Sequence, residues 1–162
     1  MAQQVSLEDK SLIRVGVIGV GRGMSFAQMA GHVGMKLVAL CDNWESKLQE
    51  AAHRFPEVVT YTDYDLFLEH DMDAVILANY FHQHAPFAIK ALRAGLHVMS
   101  ETCACKTLGE AVALIRAVET SDRVYMLAEN YCYFAYNQEM RRLYQQGEIG
   151  ELRFAEGEYI HP

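Results

Sequence analysis

Residues 13–23 read Ile13-Arg14-Val15-Gly16-Val17-Ile18-Gly19-Val20-Gly21-Arg22-Gly23. An apolar, β-branched run of this kind is typical of a buried strand, and here it passes directly into closely spaced glycines. Helix-like sequence follows, then a second apolar run over 36–41 and an acidic residue, Asp42. A strand, a glycine-rich turn, a helix and a second strand ending in an acid are the parts of a dinucleotide-binding site.

The glycine-rich turn predicts where a pyrophosphate would bind, because the free N–H groups and the dipole at a helix N-terminus attract anions. We expect Gly19 to permit the tight turn and Gly21 to let the backbone approach the phosphates. The usual third glycine falls at Met24, and Gly23 stands one position early, so the fingerprint is imperfect. Arg22 has two open interpretations: it covers the pyrophosphate, or it lies on the surface.

Asp42 strengthens this prediction, since it stands about twenty residues beyond the turn, where a ribose-binding acid is expected. Its carboxylate would accept hydrogen bonds from ribose hydroxyls and would repel a 2′-phosphate. Asn43 and Trp44 follow it, rather than an arginine, so NAD is predicted in preference to NADP. The alternative is a tight strand-to-helix turn with an aspartate that only caps a helix.

Strand-like and helix-like runs alternate along most of the chain. The strand-like runs are 13–18, 36–41, 58–61, 73–78, 96–99 and 123–127. Several are continuously apolar, which indicates strands that are covered on both faces of a parallel sheet. Between them, Thr107 and Glu110 match a capping box, and Pro86 and Gly95 fit the start and the end of another helix. The fold class predicted is α/β: a Rossmann doubly wound parallel sheet over 12–130, after a polar extension over 1–11.

The last part of the chain has a different pattern. Residues 134–146 look helical, 147–150 form a turn, and 152–160 alternate like a half-buried strand. Because that strand would have no partner within the sequence, it either pairs with another chain or belongs to a second domain that is missing. We therefore expect residues 131–162 to be a linker helix and the first strand of an incomplete α+β substrate domain.

Composition excludes several classes of function. A net charge of −7 argues against a nucleic-acid partner, because phosphate backbones bind basic surfaces. No apolar run is as long as a membrane span, and the polar N-terminus lacks a signal peptide's apolar centre, so a cytoplasmic location is the default expectation. The four cysteines lack the spacing of a metal site and are expected to be free thiols.

Three segments carry a resemblance to a known family. They are 74–84 (AVILANYFHQH), 91–101 (ALRAGLHVMSE) and 146–151 (QGEIGE). Together they resemble the Gfo/Idh/MocA oxidoreductases over about residues 12–161. Members of that family join a dinucleotide-binding domain to a larger α+β domain that carries much of the substrate pocket and the subunit contacts. The resemblance implies a sugar or polyol substrate and, for a full-length protein, a homo-oligomer.

The resemblance also implies roles for individual residues. Asn79 and the turn after it, at Tyr80, would contact the cofactor, His84 would cap the helix beside it, and Glu101 would lie near the nicotinamide ribose. Asn130 is expected among the cofactor contacts as well. The full set predicted to bind the cofactor is Gly19, Gly21, Arg22, Gly23, Met24, Asp42, Asn43, Asn79, Tyr80, His84, Glu101 and Asn130.

The sequence departs from the family at one important point. The family's Glu-Lys-Pro motif reads Glu101-Thr102-Cys103 here. A threonine hydroxyl is a poor general acid or base near neutral pH, so alcohol oxidation with the motif's lysine as base is in doubt. Hydride transfer between a nicotinamide cofactor and a sugar or cyclitol remains the leading hypothesis.

A second likeness supports an alternative. The stretches 129–133 (ENYCY) and 158–161 (EYIH) resemble the NAD-dependent glycosidases of the same superfamily, which also lack the lysine. Those enzymes oxidise a sugar at C3, eliminate the aglycone, add water and reduce the sugar again. Tyr133 and His161 are candidates to remove the proton, and Glu101 completes the predicted catalytic residues. A nucleotide-binding module without turnover is the third hypothesis.

Overall fold

Six apolar runs of the chain form strands in the computed structural model, which describes residues 12–158. The strands are β1 (Ile13–Ile18), β2 (Met35–Cys41), β3 (Val59–Tyr61), β4 (Ala74–Leu77), β5 (His97–Ser100) and β6 (Tyr125–Leu127). Each strand end lies within two residues of the predicted one. The predicted polar extension over 1–11 lies outside the described residues.

All neighbouring strands are parallel, in the order β3-β2-β1-β4-β5-β6. The chain therefore runs outward from β1 to β3 on one side, returns to the centre, and runs outward again from β4 to β6. The order reverses between β1 and β4, where doubly wound sheets open a crevice at the carboxyl ends of their strands. The predicted Rossmann sheet is confirmed, and this crevice is where a ligand is expected.

Six helices accompany the strands in the described part of the chain. They are α1 (Met24–Met29), α2 (Glu45–Arg54), α3 (Tyr64–Leu68), α4 (His84–Arg93), α5 (Leu108–Glu119) and α6 (Ala135–Gln145). Asp63 caps α3 by accepting hydrogen bonds from the N–H groups of Asp65 and Leu66. Gly95 follows α4 with a φ of 80°, so it supplies the left-handed turn that ends the helix. None of these helices is long and apolar enough to cross a membrane.

The predicted capping box at the start of α5 is present. The Glu110 N–H donates to the Thr107 hydroxyl at 3.2 Å, and the Glu110 carboxylate accepts from the Thr107 N–H at 3.1 Å. Replacing Thr107 with alanine is expected to lower the free energy of unfolding by about 1 kcal/mol, because one N–H loses its partner. Urea denaturation would measure this. Thr107→Ser keeps the hydroxyl and should be as stable as the original protein. If the original protein, Thr107→Ala and Thr107→Ser were equally stable, the role of the cap would be contradicted.

Apolar side chains cover both faces of the sheet. On one face Leu77 and Val98 pack with Phe67 of α3 and with residues of α4 and α5. On the other face Val17 and Leu40 pack with α1 and α2. Two covered faces explain why the strands read as continuous apolar runs rather than as alternating ones.

The chain divides into two compact units between Ala128 and Glu129. The sheet belongs to the first unit. The second contains a short turn at Tyr131–Tyr133, then α6 and glycine turns at Gly147 and Gly150, both with positive φ. The strand predicted over 152–160 is not formed by its described part, 152–158. A strand requires a neighbour to accept and donate its backbone hydrogen bonds, and no strand pairs with this segment among the described residues.

Candidate functional site

A cleft of about 630 Å³ lies at the carboxyl ends of β1, β2 and β4. This is the position that the reversal of strand order predicts. Its walls are formed by Ile18, Gly19, Gly21, Arg22, Cys41, Asp42, Asn43, Trp44, Thr62, Asp63, Tyr64, Ala78, Asn79, Tyr80, His82, Gln83 and Phe87. Seven of the residues predicted to bind a cofactor are among them: Gly19, Gly21, Arg22, Asp42, Asn43, Asn79 and Tyr80.

The glycines of the first turn have three different roles. Gly19 has a φ of 93°, and a Cβ there would overlap the carbonyl of Ala78. A Cβ on Gly23 would overlap the carbonyl oxygen of Gly19 and a methyl group of Val17. By contrast, among the described residues no atom lies within 4 Å of a Cβ built on Gly21. Gly19 thus makes the turn, Gly23 lets α1 approach β1, and Gly21 leaves open space beside the backbone.

Gly23 therefore performs the packing that the third glycine of the fingerprint usually performs, although it stands one position early. Met24, at the usual position, packs against the core on the α1 side of the sheet. Gly23, Met24 and His84 lie outside the set that lines the cleft. Cofactor contact by these three residues stays a prediction.

Asp42 joins the glycine turn to the end of β2. One carboxylate oxygen accepts a hydrogen bond from the Val20 N–H at 2.8 Å, and the other accepts one from the Trp44 N–H at 2.9 Å. A carboxylate has about four acceptor sites, so capacity remains for hydroxyl donors in the cleft. Asp42 does not cap α2 as the alternative interpretation requires, since the residue before this helix is Trp44 and no side chain caps it. The two hydrogen bonds instead hold the carboxylate rigidly in the cleft wall.

Asn79 brings an unsatisfied acceptor to the opposite wall. Its amide nitrogen donates to Gln83 at 3.4 Å, while its Oδ1 is buried and has no hydrogen-bond partner among the described residues. Leaving a buried acceptor unpaired costs about 1–3 kcal/mol. Such an atom beside a cleft fits a ligand that carries a hydrogen-bond donor.

Arg22 is paired with a buried carboxylate. Its Nε donates to Glu101 Oε1 at 2.5 Å, and Glu101 is 8 % exposed. The other Glu101 oxygen accepts from the Thr102 N–H at 3.1 Å. The guanidinium also lies over the Phe26 ring, 5.6 Å from its centre. Arg22 is therefore held at the edge of the cleft, and its remaining N–H groups are donors suited to an anion.

His84 does not cap α4, so this prediction was wrong. The residue before the helix is Gln83, and no side chain caps it. His84 is 1 % exposed, and its ring nitrogens lie 2.9 Å from the carbonyl oxygen of Cys103 and 3.2 Å from that of Asn79. The imidazole joins the loop after β4 to the loop after β5 and so holds Asn79 in place.

Two groups in the cleft wall are kept neutral. Burial, with a smaller contribution from the carboxylates of Asp42 and Asp63, raises the pKa of the Cys41 thiol to about 12. Burial likewise raises the pKa of Tyr64 far above its ordinary value. The fixed charge at this end of the cleft therefore comes from Asp42 and Asp63, which favours hydroxyl donors over a phosphate. Among the described residues, no cluster of three or more His, Cys, Asp or Glu side chains could hold a metal ion.

The model of the oxidoreductase family with an NAD-binding Rossmann fold, Gfo/Idh/MocA, matches residues 13–129. The chain belongs to this family. The match covers the whole sheet and the loops that form the cleft. The family resemblance seen in the sequence is thereby confirmed.

Curated relatives are similar along nearly the whole chain. "Glycosyl hydrolase family 109 protein 1" of Shewanella sp. (strain ANA-3) is 32% identical, and the match covers 93% of this chain and 35% of that protein. "Glycosyl hydrolase family 109 protein 2" of Phocaeicola vulgatus is 29% identical, over 93% of this chain and 39% of that protein. The chain thus spans a little over a third of the length of these relatives.

Solved structures share the fold. Scyllo-inositol dehydrogenase from Lactobacillus casei with bound NAD(H) and scyllo-inositol superposes with a TM-score of 0.81 at 23% identity, covering 86% of this chain and 43% of that one. The WlbA dehydrogenase from Bordetella pertussis, in complex with NADH and UDP-GlcNAcA, gives a TM-score of 0.79 at 24% identity, covering 86% and 43%. At these identities the likeness shows the Rossmann fold alone.

Three predicted residues belong to the second unit or lie beyond the described part. Asn130 begins the turn at Tyr131–Tyr133, where Glu129 accepts hydrogen bonds from the N–H groups of Asn130 and Tyr131 at 2.8 and 2.9 Å. The Tyr133 side chain is 70% exposed. His161 lies outside the described residues. Contact of Asn130 with a cofactor and catalysis by Tyr133 or His161 stay predictions.

The wall that follows β3 was not predicted from the sequence. Thr62, Asp63 and Tyr64 line the cleft, yet none of them is among the residues predicted to bind the cofactor. Because β3 is the neighbour of β2, the loop after β3 lies beside Asp42. The strand order was the signal that would have found these residues, and the α/β pattern already favoured that order.

The high pKa of Cys41 gives a chemical prediction. A thiolate, rather than a thiol, is the nucleophile, so Cys41 should resist alkylation in the folded protein. The exposed thiols of Cys103 and Cys132 should react first at mildly alkaline pH. Iodoacetamide labelling followed by peptide mass spectrometry would measure the rates. Labelling of Cys41 as fast as Cys103 without denaturant would contradict the burial that the structure shows.

Proposed function

We propose that the cleft binds NAD and that the protein carries out hydride transfer at a sugar or polyol carbon. The pyrophosphate would lie over Gly21, the adenosine ribose on Asp42, and the nicotinamide end near Asn79. One observation carries this proposal: a rigidly held carboxylate and a sterically open glycine share a cleft with a buried, unsatisfied amide oxygen. A dinucleotide presents hydroxyl donors, a diphosphate and amide donors at the corresponding points.

Bound NAD would supply the hydride acceptor and donor, and this chain would supply its position. Arg22 would place positive charge beside the diphosphate. Glu101 would act through Arg22 as a positioning residue, because both of its oxygens are engaged by Arg22 and by the Thr102 N–H. The Asp42 and Asp63 carboxylates would oppose a 2′-phosphate, which favours NAD over NADP.

Calorimetry with NAD and NADP tests the cofactor proposal directly on this chain. We expect NAD to bind and NADP to bind at least about tenfold more weakly, which corresponds to about 1.4 kcal/mol. Equal affinity would refute the role given to the two carboxylates. Failure of both dinucleotides to bind at millimolar concentration would refute the proposal as a whole.

A second candidate function is a glycosidase that uses NAD without consuming it. Two observations favour it: threonine replaces the lysine at position 102, and the chain is 32% identical to a protein named for glycosyl hydrolase family 109. In such a reaction a sugar is oxidised, loses its aglycone, takes up water and is reduced again. Tyr133 or His161 would accept the proton. Thr102 would not, because a threonine hydroxyl is a poor general base near neutral pH.

One assay, run on the whole protein, distinguishes the two reactions. Net NADH formation with polyols or cyclitols and added NAD would support the dehydrogenase. Release of nitrophenol from aryl glycosides without net NADH formation would support the glycosidase. Binding of NAD with neither reaction would favour a module without turnover.

A further inference from the structure

Trp44 lies in the cleft wall and is the one tryptophan of the chain. It is 59% exposed, which is high for so large an apolar side chain. Its neighbours in the wall are the carboxylate residue Asp42 and Asn43. An exposed indole in a cleft offers a flat apolar surface that a ligand can cover.

The backbone of Trp44 is fixed by the same carboxylate that is proposed to hold the ribose. The Asp42 Oδ1 accepts from the Trp44 N–H at 2.9 Å. In a dinucleotide the adenine is bonded directly to the ribose whose hydroxyls face Asp42. A base attached to that ribose is therefore within reach of a side chain two residues beyond Asp42.

The indole is also held from α2. The Lys47 ammonium lies 5.8 Å from the centre of the indole ring, and it is paired with Glu50 at 2.9 Å. A cation that lies over an aromatic face is attracted by the quadrupole of the ring. This contact orders the indole before a ligand arrives, so less conformational entropy is lost on binding.

We propose that Trp44 is the stacking surface for the adenine ring and so determines much of the affinity for the cofactor. The inference rests on the proposed NAD site and adds the residue that recognises the base. Tyr80, another exposed aromatic residue of the wall, follows Asn79 after β4, and β4 lies on the opposite side of β1 from β2, the strand that precedes Asp42.

Intrinsic fluorescence tests this inference, because all tryptophan emission comes from Trp44. The chain would be titrated with NAD, AMP and nicotinamide mononucleotide, and NAD binding would be measured in parallel by calorimetry. We expect NAD and AMP to quench the emission, with the NAD midpoint equal to the calorimetric Kd. Nicotinamide mononucleotide should leave the emission unchanged.

Variants supply a second readout. Trp44→Ala should weaken NAD binding about 5- to 150-fold, since stacking of one base on an aromatic ring contributes on this scale. Trp44→Phe keeps an aromatic face and should recover most of the affinity. Ile115→Ala, at an exposed apolar residue of α5, is the matched control and should bind NAD as the original chain does. Thermal unfolding of each variant would show that the fold is intact.

The possible results are distinct. NAD binding by calorimetry with unchanged emission, or with full affinity in Trp44→Ala, would overturn the role of Trp44 and leave the proposed function standing. Quenching by nicotinamide mononucleotide as strong as that by AMP would overturn the assignment to adenine. Absence of any NAD binding would overturn the proposed function and this inference together.

Discussion

Replacing Gly19 with alanine is expected to lower the free energy of unfolding by about 2–4 kcal/mol and to abolish NAD binding. Two costs add up at this position. The φ of 93° is unfavourable for any residue with a Cβ, and the new methyl group would overlap the Ala78 carbonyl at the end of β4. Relief of that overlap requires movement of the glycine turn or of Asn79, and both belong to the cleft.

Gly21→Ala is the matched comparison for Gly19→Ala. The same methyl group would meet no described atom within 4 Å, so the folded chain should keep its stability. NAD binding should nevertheless weaken, because the methyl group would occupy the space proposed for the diphosphate. Urea denaturation and calorimetry on both variants would measure the two effects separately. Equal loss of stability in both variants, or full NAD affinity in Gly21→Ala, would contradict this assignment of the glycines.

Asp42→Ala is expected to weaken NAD binding by about 1–3 kcal/mol, the usual cost of losing hydrogen bonds to a charged group. It should also reduce the preference for NAD over NADP. The free energy of unfolding should also fall by about 1–3 kcal/mol, because the Val20 and Trp44 N–H groups lose their acceptor. Calorimetry with both dinucleotides and urea denaturation would measure these changes.

Asp63→Asn is the control for the Asp42 variant. Asp63 is a second carboxylate in the cleft wall, and asparagine caps a helix about as well as aspartate, so α3 should be preserved. NAD affinity should change little in Asp63→Asn, since only Asp42 is assigned to the ribose. Unchanged NAD affinity in Asp42→Ala would remove Asp42 from the ribose site and leave it a purely structural residue.

The strands and the parallel sheet could be predicted from the sequence because a strand that is buried on both faces is apolar at nearly every position. The run 74–78 is apolar at every position, which is typical of a parallel strand that is covered on both faces. The start of a helix could also be predicted where a side chain caps it, as Thr107 caps α5. In both cases the determining contacts are local or repeat regularly along the chain.

Contacts between distant segments could not be read in this way. The pairing of Arg22 with Glu101 links two loops, and so does the bridge that His84 makes between Asn79 and Cys103. Neither leaves a periodic signal, because each depends on the packing of several strands at once. The predicted strand over 152–160 failed in its described part for a related reason, since alternation of side chains does not supply a hydrogen-bonding neighbour.

The side chains that line the cleft all come from one continuous stretch, residues 18–87. That stretch ends before the loop in which threonine replaces the family's lysine, and well before the second unit begins at Glu129. Substitutions in the later segments can therefore accumulate without rebuilding the walls of the cleft, provided that the Glu101 carboxylate beside Arg22 and the Cys103 carbonyl beside His84 stay in place. Evolution can alter the chemistry of such a chain while this cleft is kept, which accords with the different names of its relatives and structural neighbours, glycosyl hydrolase and dehydrogenase.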